Sequence, residues 1–366
     1  MLAGVWQNIK VETSRGADAI QLADAWRELG RNAVEPAAFQ SADFALPILA
    51  HQGGVNLIRV SLGSAIAMAL PVERRWGMQA SAASTLTASG LPQTAEHGAE
   101  AAIMALLNSL SEPYLFRSLP KASAFFALLE NAQPQLHVVK SWKRAALKIN
   151  GTFEQWFGEN FDHKRRKEFK RLRARLAEQG KLELETLNQS SSLHGFINSL
   201  VELEAKGWKG KRGTALNSDK ATEICFSEIC TNCHRSGTLR FWTLKFNVQP
   251  IASLVGLVDG AQGWIVKIAY DESFAKFSPG VLLILDATEA LFTEPALKLV
   301  DSCAIPGHPM IERIWRDRIE MVDVLVAPAK VSPFRFAATV TALKTHAKLR
   351  QSGKSIFYRL TKRKRS

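Results

Sequence analysis

Along residues 264–303 the spacing of apolar and polar positions changes twice. Residues 264–270 form an apolar run of strand length, flanked by Gly260 and Gly263. A polar loop, 271–277, leads into Ser278-Pro279-Gly280. Serine suits an N-cap there, and proline the first helical position, where its missing N–H is not needed. Residues 280–292 are apolar except for Asp286, Thr288 and Glu289, which predicts a helix buried on most of its circumference. A second short apolar run, 297–300, ends at Asp301. Strand, helix and strand in this order predict a βαβ unit with its helix N-terminus aimed at the carboxyl end of the first strand. Free amides and the helix dipole meet there, so an anion such as a phosphate is one expectation. The other is that Ser278 only caps its own helix.

Earlier in the chain, 19–29 has helical spacing at Ile20, Ala23, Trp26 and Arg27, and 43–51 is a short helix after Glu35-Pro36. Residues 57–62 and 65–72 read as a hairpin about Gly63-Ser64. Then follow a helix over 95–110, a strand over 114–119, a helix over 123–129 and short strands over 137–139 and 144–147. No catalytic spacing occurs in this first part, and it reads as scaffold. From Gly151 onward Thr152 caps FEQWFGEN, and the helix 163–176 stops at Glu178-Gln179-Gly180. A half-buried strand over 182–187, helices over 193–203 and 219–235, and strands over 239–245 and 251–258 lead to the βαβ unit.

Composition changes this picture little; charge changes it more. A chain of 366 residues, 46% of them hydrophobic, can bury a large core and suggests two domains. No apolar run approaches the ~20 residues of a membrane span. The first residues lack a basic stretch followed by an apolar one, so no secretion signal is expected. Four cysteines do not make a disulfide framework, and a cytoplasmic location, peripheral at the inner membrane face, is the expectation. Of the net charge of +13, ten Lys or Arg lie in 331–366, which has no acidic residue. That tail predicts an amphipathic helix with Phe336, Val340, Leu343 and Ala347 on one face, docking on an anionic lipid or polymer and dispensable for the fold. The other concentration is HKRRKEFKRLRARL, 163–176.

Cys230-Thr-Asn-Cys233-His234 has the spacing of a haem attachment motif. Phe226, Ile229, Cys230 and Cys233 share a helical face, so the cysteines read as core, and neither haem nor metal is expected. Between two helices, Glu204-Ala-Lys-Gly-Trp208-Lys209-Gly-Lys211-Arg212-Gly gathers cations around one tryptophan. Trp208 suits the face of a sugar, and Lys209, Lys211 or Arg212 an anion; the alternative is a solvated loop.

The element order, together with KRRKEFKRLRARL, LEAKGWKGKRGTAL, IAYDESFAKFSPGVLL and VDSCAIPGHPMIERIW, resembles the GNAT-fold acetyltransferases of the CelD type, associated with cellulose and exopolysaccharide synthesis. The first part resembles that family's N-terminal half through AWRELGRNAVEPAAFQS and AMALPVERRWG. The resemblance implies an α+β fold of tandem GNAT-like halves, each a mixed sheet flanked by helices, and a distant kinship to FemABX aminoacyl transferases. On this division 1–150 is a degenerate scaffold half, 151–330 holds the acyl-CoA and acceptor sites, and 331–366 is a basic tail. The resemblance further implies that Phe277, Ser278, Gly280, Val281 and Leu282, with Lys276, hold acetyl-CoA, and that Glu204 to Arg212 shape the acceptor pocket. Asp301 and Asp271, at strand ends, and His308 beside Glu312 are the candidates for proton transfer. The function implied is acyl transfer to a hydroxyl or amine of a carbohydrate or envelope precursor. The alternatives are an aminoacyl-tRNA-dependent transferase, with nucleic acid meeting Lys164 to Arg175, and a non-catalytic anion-binding accessory protein.

Overall fold

The computed structural model describes residues 9–82, 84, 86–132 and 135–346. The first half runs β1 (Ile9–Arg15), α1 (Gly16–Ala19), α2 (Ala23–Arg31), α3 (Ala42–His51), β2 (Val55–Leu62), β3 (Ala65–Arg75), β4 (Met78–Ser81), β5 (Gln93–Thr94), α4 (Ala99–Ser109), β6 (Tyr114–Pro120), α5 (Ala124–Asn131) and β7 (Gln135–Lys148). The second runs α6 (Phe153–Asn160), α7 (His163–Ala177), β8 (Leu182–Thr186), α8 (Leu193–Lys206), α9 (Trp208–Lys211), α10 (Lys220–Arg235), β9 (Leu239–Phe246), β10 (Gln249–Asp259), β11 (Gln262–Tyr270), α11 (Pro279–Leu291), β12 (Leu299–Asp301) and β13 (Asp317–Ala327).

The fold is mixed α/β, built on one large mixed sheet ordered β1-β2-β3-β4-β6-β13-β7-β12-β11-β10-β9-β8, with β5 on β3. Each half contributes one parallel pair, β4 with β6 and β11 with β12. In each case the next strand comes from the other half: β13 lies against β6, and β7 against β12, both antiparallel. The exchanged strands then pair with each other from Asp317↔Ala146 to Ala327↔Gln135. The sheet is therefore continuous across residue 150. On one face α2, α3, α8 and α10 share a single core that includes Trp26, Phe44, Phe226 and Trp264. On the other, α6, α7 and α11 cover the second half, and α4 and α5 the first.

Several elements differ from the sequence expectation. β7 is one strand of 14 residues where 137–139 and 144–147 suggested two, because the polar Lys140, Ser141 and Lys143 between them lie in register with β13. α4 starts at Ala99 and not at 95, because Gly98 turns left-handed (φ 84°) and Ala95 is bridged to Ala33. β1 and β13 had no counterpart in the sequence reading.

The tail, as far as it is described, lies against the sheet. Residues 333–346 are helical, but Phe336, Val340 and Leu343 pack on Met78, Ala80, Leu115 and Leu325 of the sheet. The Trp76 and His346 rings also meet, tilted, with centroids 4.9 Å apart, and Gln135 Nε2 donates to the Val331 carbonyl at 2.6 Å. The buried Leu343 and the half-buried Phe336 and Val340 thus face the sheet; Ala347 lies outside the described residues. Truncation after Lys330 is expected to cost about 2–4 kcal/mol, the burial of one or two apolar side chains, and to lower the melting temperature. An unchanged melting curve would show that this packing contributes nothing.

Candidate functional site

β11 and β12 pair only where Gln262–Trp264 faces Leu299–Asp301, although β11 runs on to Tyr270. On its other edge Val255 pairs with Lys267 and Gly256 with Ile265, so Val266 is an extra residue with no partner in β10. A bulge bends its strand and increases the local twist. This one begins where β12 stops, so the strands diverge and the amides on that edge of β11 meet no strand. The Ile265 N–H reaches the Cys303 thiol, which burial and the neighbouring Asp301 hold well above the ordinary thiol value and therefore neutral.

At the carboxyl end of β11 the chain makes one tight turn, Glu272–Phe277, before α11. Asp271 opens that turn: its Oδ1 accepts from the Ser273 amide at 2.8 Å and the Ser273 hydroxyl at 2.6 Å. Ser278 does not cap α11, contrary to the sequence expectation. Its backbone is left-handed, at φ 52°, ψ 53°, rather than in the extended region usual for a capping residue, and its side chain makes no bond to the helix. Its carbonyl takes the Val281 and Leu282 amides at 2.9 and 3.2 Å. The amide cradle expected over 277–282 is thereby reduced to the Gly280 N–H, beside the uncommitted Ser278 hydroxyl and the exposed Lys276. Phe277 and Leu282 are core side chains. Gly280 is closely approached: a Cβ there would lie 3.2 Å from the Tyr270 ring and 3.3 Å from the Met310 sulfur, so these side chains would have to give by a few tenths of an ångström.

Opposite this turn lies the tryptophan segment. The Trp208 amide donates to Glu272 Oε1 at 2.8 Å, and Lys211 Nζ is 3.0 Å from Glu272 Oε2. The Trp208 ring is 51% exposed, with the Arg212 guanidinium 5.1 Å from its centroid. Glu204, in contrast, is buried and fully engaged. It accepts from Lys209, from Lys267 Nζ at 3.0 Å and from the Leu216 amide at 2.8 Å. Burial works to raise its carboxyl, but the two lysines outweigh that and hold it below the usual carboxylate value. Burial and Lys209 together lower Lys267. Glu204 and Lys267 thus fasten the segment to β11, and leave Trp208 and Arg212 facing solvent above Tyr270.

The proton-transfer candidates separate. Both oxygens of Asp301 are taken, Oδ2 by Arg144 Nη1 at 2.8 Å and Oδ1 by the Cys303 amide at 2.7 Å. Burial raises its carboxyl, against the pull of Arg144. Asp271 is committed to its turn. His308 is half-buried, on the loop leaving β12, and burial, with Lys209 nearby, lowers its imidazole below the ordinary value. It is therefore a neutral ring at neutral pH; its free lone pair, on Nδ1, faces the Met310 amide at 3.4 Å and would take a proton there in exchange for that bond. Glu312 accepts from the Gly307 amide of the same loop. Lys267, Arg144 and Tyr270 were missed from sequence; the one detectable signal was a lysine inside the apolar run 264–270.

The first half has the same divergence, after Gln79↔Tyr114 and Ala80↔Leu115. There the chain fills its own gap. Gly90 N–H donates to the Arg117 carbonyl at 2.9 Å, and Ser89 Oγ to the Ser118 carbonyl at 2.9 Å. A Cβ on Gly90 would lie 2.6 Å from the Arg117 oxygen, so only glycine allows this approach. Among the described residues the cleft is open in the second half alone.

Among the described residues no three His, Cys, Asp or Glu side chains converge as metal ligands, and no helix is long and apolar enough to cross a membrane. Cys230 and Cys233 lie in the core between α10 and α3, and burial pushes the Cys233 thiol up to about 12.

Residues 163–304 match a family model described as an acetyltransferase (GNAT) domain. No curated protein matches the chain. Among solved structures it is similar to FemX, with 9% identity and a TM-score of 0.55, over 84% of this chain and 96% of that one. It is also similar to the C-terminal domain of a putative lysylphosphatidylglycerol synthetase from Agrobacterium fabrum, with 12% identity and a TM-score of 0.55, over 89% and 96% of the two chains. A third is L-PGS from Bacillus licheniformis, with 10% identity and a TM-score of 0.52, over 90% and 98%. At these identities the likeness is one of fold.

Proposed function

We propose that this chain is an acyltransferase that takes its acyl group from a CoA thioester, acetyl-CoA being the simplest, through residues 163–304, which match the GNAT domain model. The observation that carries this reading is the divergence of β11 from β12 at a bulge, with the start of α11 at its mouth. The pantetheine arm would lie along the free edge of β11. The pyrophosphate would meet the Gly280 N–H, the Ser278 hydroxyl and Lys276. The acceptor, a hydroxyl or amine on a carbohydrate or envelope precursor, would rest on Trp208 with Lys211 and Arg212 beside it. Its heteroatom attacks the thioester carbonyl, edge amides of β11 hold the oxyanion, and His308 takes the proton; as the oxyanion collapses the C–S bond breaks, and the proton passes from His308 to the departing sulfur to give the CoA thiol. Asp301 in this reading positions the cleft through Arg144, and Asp271 shapes the turn.

Ser278→Gly tests the donor site because two effects oppose. Relief of the left-handed serine is worth about 1–2 kcal/mol, and the extra freedom of glycine in the unfolded chain takes back ~0.4–1. Stability should hold or rise slightly while acetyl-CoA affinity falls, by titration calorimetry. Unchanged affinity would remove the hydroxyl from the phosphate site. If His308 is the base, kcat/KM rises with pH through a value below ~6.5, the free imidazole, and His308→Gln loses that limb. A limb that survives the substitution assigns the proton elsewhere.

A second reading, an aminoacyl-tRNA donor, is favoured by the placement of α7. Arg171 and Arg175 of that helix line a groove of about 440 Å³ with Lys276 and Phe277 of the donor turn, beside Glu178 and Glu168, the latter paired with Arg171 at 2.7 Å. An RNA end bound there would lose affinity steeply with salt, whereas salt-independent failure to bind tRNA excludes it. Independently of the donor, we propose that the basic tail meets an anionic lipid surface or polymer. Arg335→Glu with Lys344→Glu spares the packed face, and equal retention of variant and wild type on anionic vesicles would refute it.

A further inference from the structure

A second cavity, of about 370 Å³, lies on the side of the sheet where the helices of the two halves meet. Trp26, Gly30 and Arg31 of α2 and Gln93 of β5 line it from the first half; Cys233, Thr238 and Asp259 line it from the second. It shares no lining residue with the donor turn or the tryptophan segment. Three of its polar groups are left without a partner. The Trp26 side chain is 0% exposed and the Gln93 side chain 4%, yet Trp26 Nε1 and Gln93 Oε1 have no hydrogen-bond partner among the described residues. Unmade hydrogen bonds of buried groups are costly, and native interiors keep few of them. Asp259, at the end of β10, has no ion pair there either, and burial alone raises its carboxyl. Its neighbours do not relieve it: Arg27 is held by Asp43 at 2.9 Å, and Arg31 is drawn to Glu28 at the solvent side.

The unmet needs are of two kinds, a donor at Trp26 and two acceptors, one of them charged, at Gln93 and Asp259. The lining is also balanced in charge, with Arg27 and Arg31 against Asp43 and Asp259. A simple cation would satisfy only one end, and an anion would meet Asp259. We infer that the cavity between the two halves binds a small zwitterion of the α-amino-acid class. Its ammonium is held by Asp259 and Gln93 Oε1, and its carboxylate by Trp26 Nε1 and the outer edge of Arg31. The volume is in the range of small-molecule sites. Because α2 and the end of α10 both contribute, occupancy ties the halves together at a point remote from the cleft.

The test is a thermal-shift survey of the full chain with each of the twenty common amino acids at millimolar concentration, followed by titration calorimetry of any that stabilises. One site per chain is expected. Asp259→Asn and Trp26→Phe should each weaken it by ~10-fold or more, the scale of a lost charge-assisted or buried hydrogen bond. Without ligand Asp259→Asn should melt no lower than wild type, since it removes an unpaired, partly desolvated charge, and this separates lost binding from lost fold. No shift with any of the twenty, or a shift that both variants retain, would overturn the inference. So would equal stabilisation by glycerol, which would mean that ordinary solvent satisfies these groups.

Discussion

Arg144→Ala is expected to destabilise the protein by about 3–5 kcal/mol, the cost of leaving one member of a buried ion pair alone. Both side chains of the pair are 6% exposed, and each comes from a different half: Arg144 from β7, Asp301 from β12. Arg144 also donates through Nη2 to the Ala88 carbonyl at 3.1 Å, so it holds the segment that closes the first-half cleft. Replacing both partners by apolar residues, Arg144→Met with Asp301→Leu, should recover most of the loss, because a buried pair is not itself a large net gain. Denaturant unfolding of the two variants measures this. A single variant as stable as wild type would show that the pair does not lock the exchanged strands. Asp301→Asn separates the two roles of that residue. As a positioning group it loses stability and keeps turnover in what remains folded. As the base it would lose ~10²-fold in turnover with its stability intact.

The second large effect is expected at Glu204. Glu204→Ala leaves Lys267, whose side chain is 10% exposed, without the carboxylate 3.0 Å away, and frees the buried Leu216 amide. The expected cost is again about 3–5 kcal/mol near neutral pH. It should shrink as pH rises towards the free-lysine value, because Lys267 can then shed its proton and both states approach neutrality. Lys267→Met should be mild by comparison, since Lys209 and the Leu216 amide still satisfy Glu204. Equal losses in the two single variants would mean that the carboxylate does not organise this cluster. A double variant, Glu204→Ala with Lys267→Met, should be more stable than Glu204→Ala alone.

The βαβ unit was legible because its signals are local: an apolar run of strand length, a helix-start pair and a buried helix lie in continuous sequence. The same is true of α7, α8 and α10, whose starts carry Asp162, Ser192 and Asp219 as caps. What the sequence hid depends on distant partners. β13 and β7 are neighbours only because the halves exchange strands, and no local pattern of 317–327 says that Leu325 will meet Leu115 and the tail helix. The tail's face at Phe336, Val340 and Leu343 has the right spacing for a membrane helix, yet the sheet takes it. Ser278 carried the cap signal, but its backbone is left-handed and its side chain makes no cap bond. Asp301 looked like a free acid at a strand end, and its partner lies 157 positions away.

The central claim is that one half alone, the second, holds the acyl donor. Titration calorimetry of acetyl-CoA into the full chain tests it most directly. The account predicts one site per chain, weakened by Gly280→Asp, which sets a carboxylate and its carbons against Tyr270 and Met310 at the mouth of the cleft. It also predicts that Gly90→Ala, in the closed cleft of the first half, does not alter the affinity of whatever remains folded. Two sites per chain, no binding, or wild-type affinity in a folded Gly280→Asp protein would contradict it.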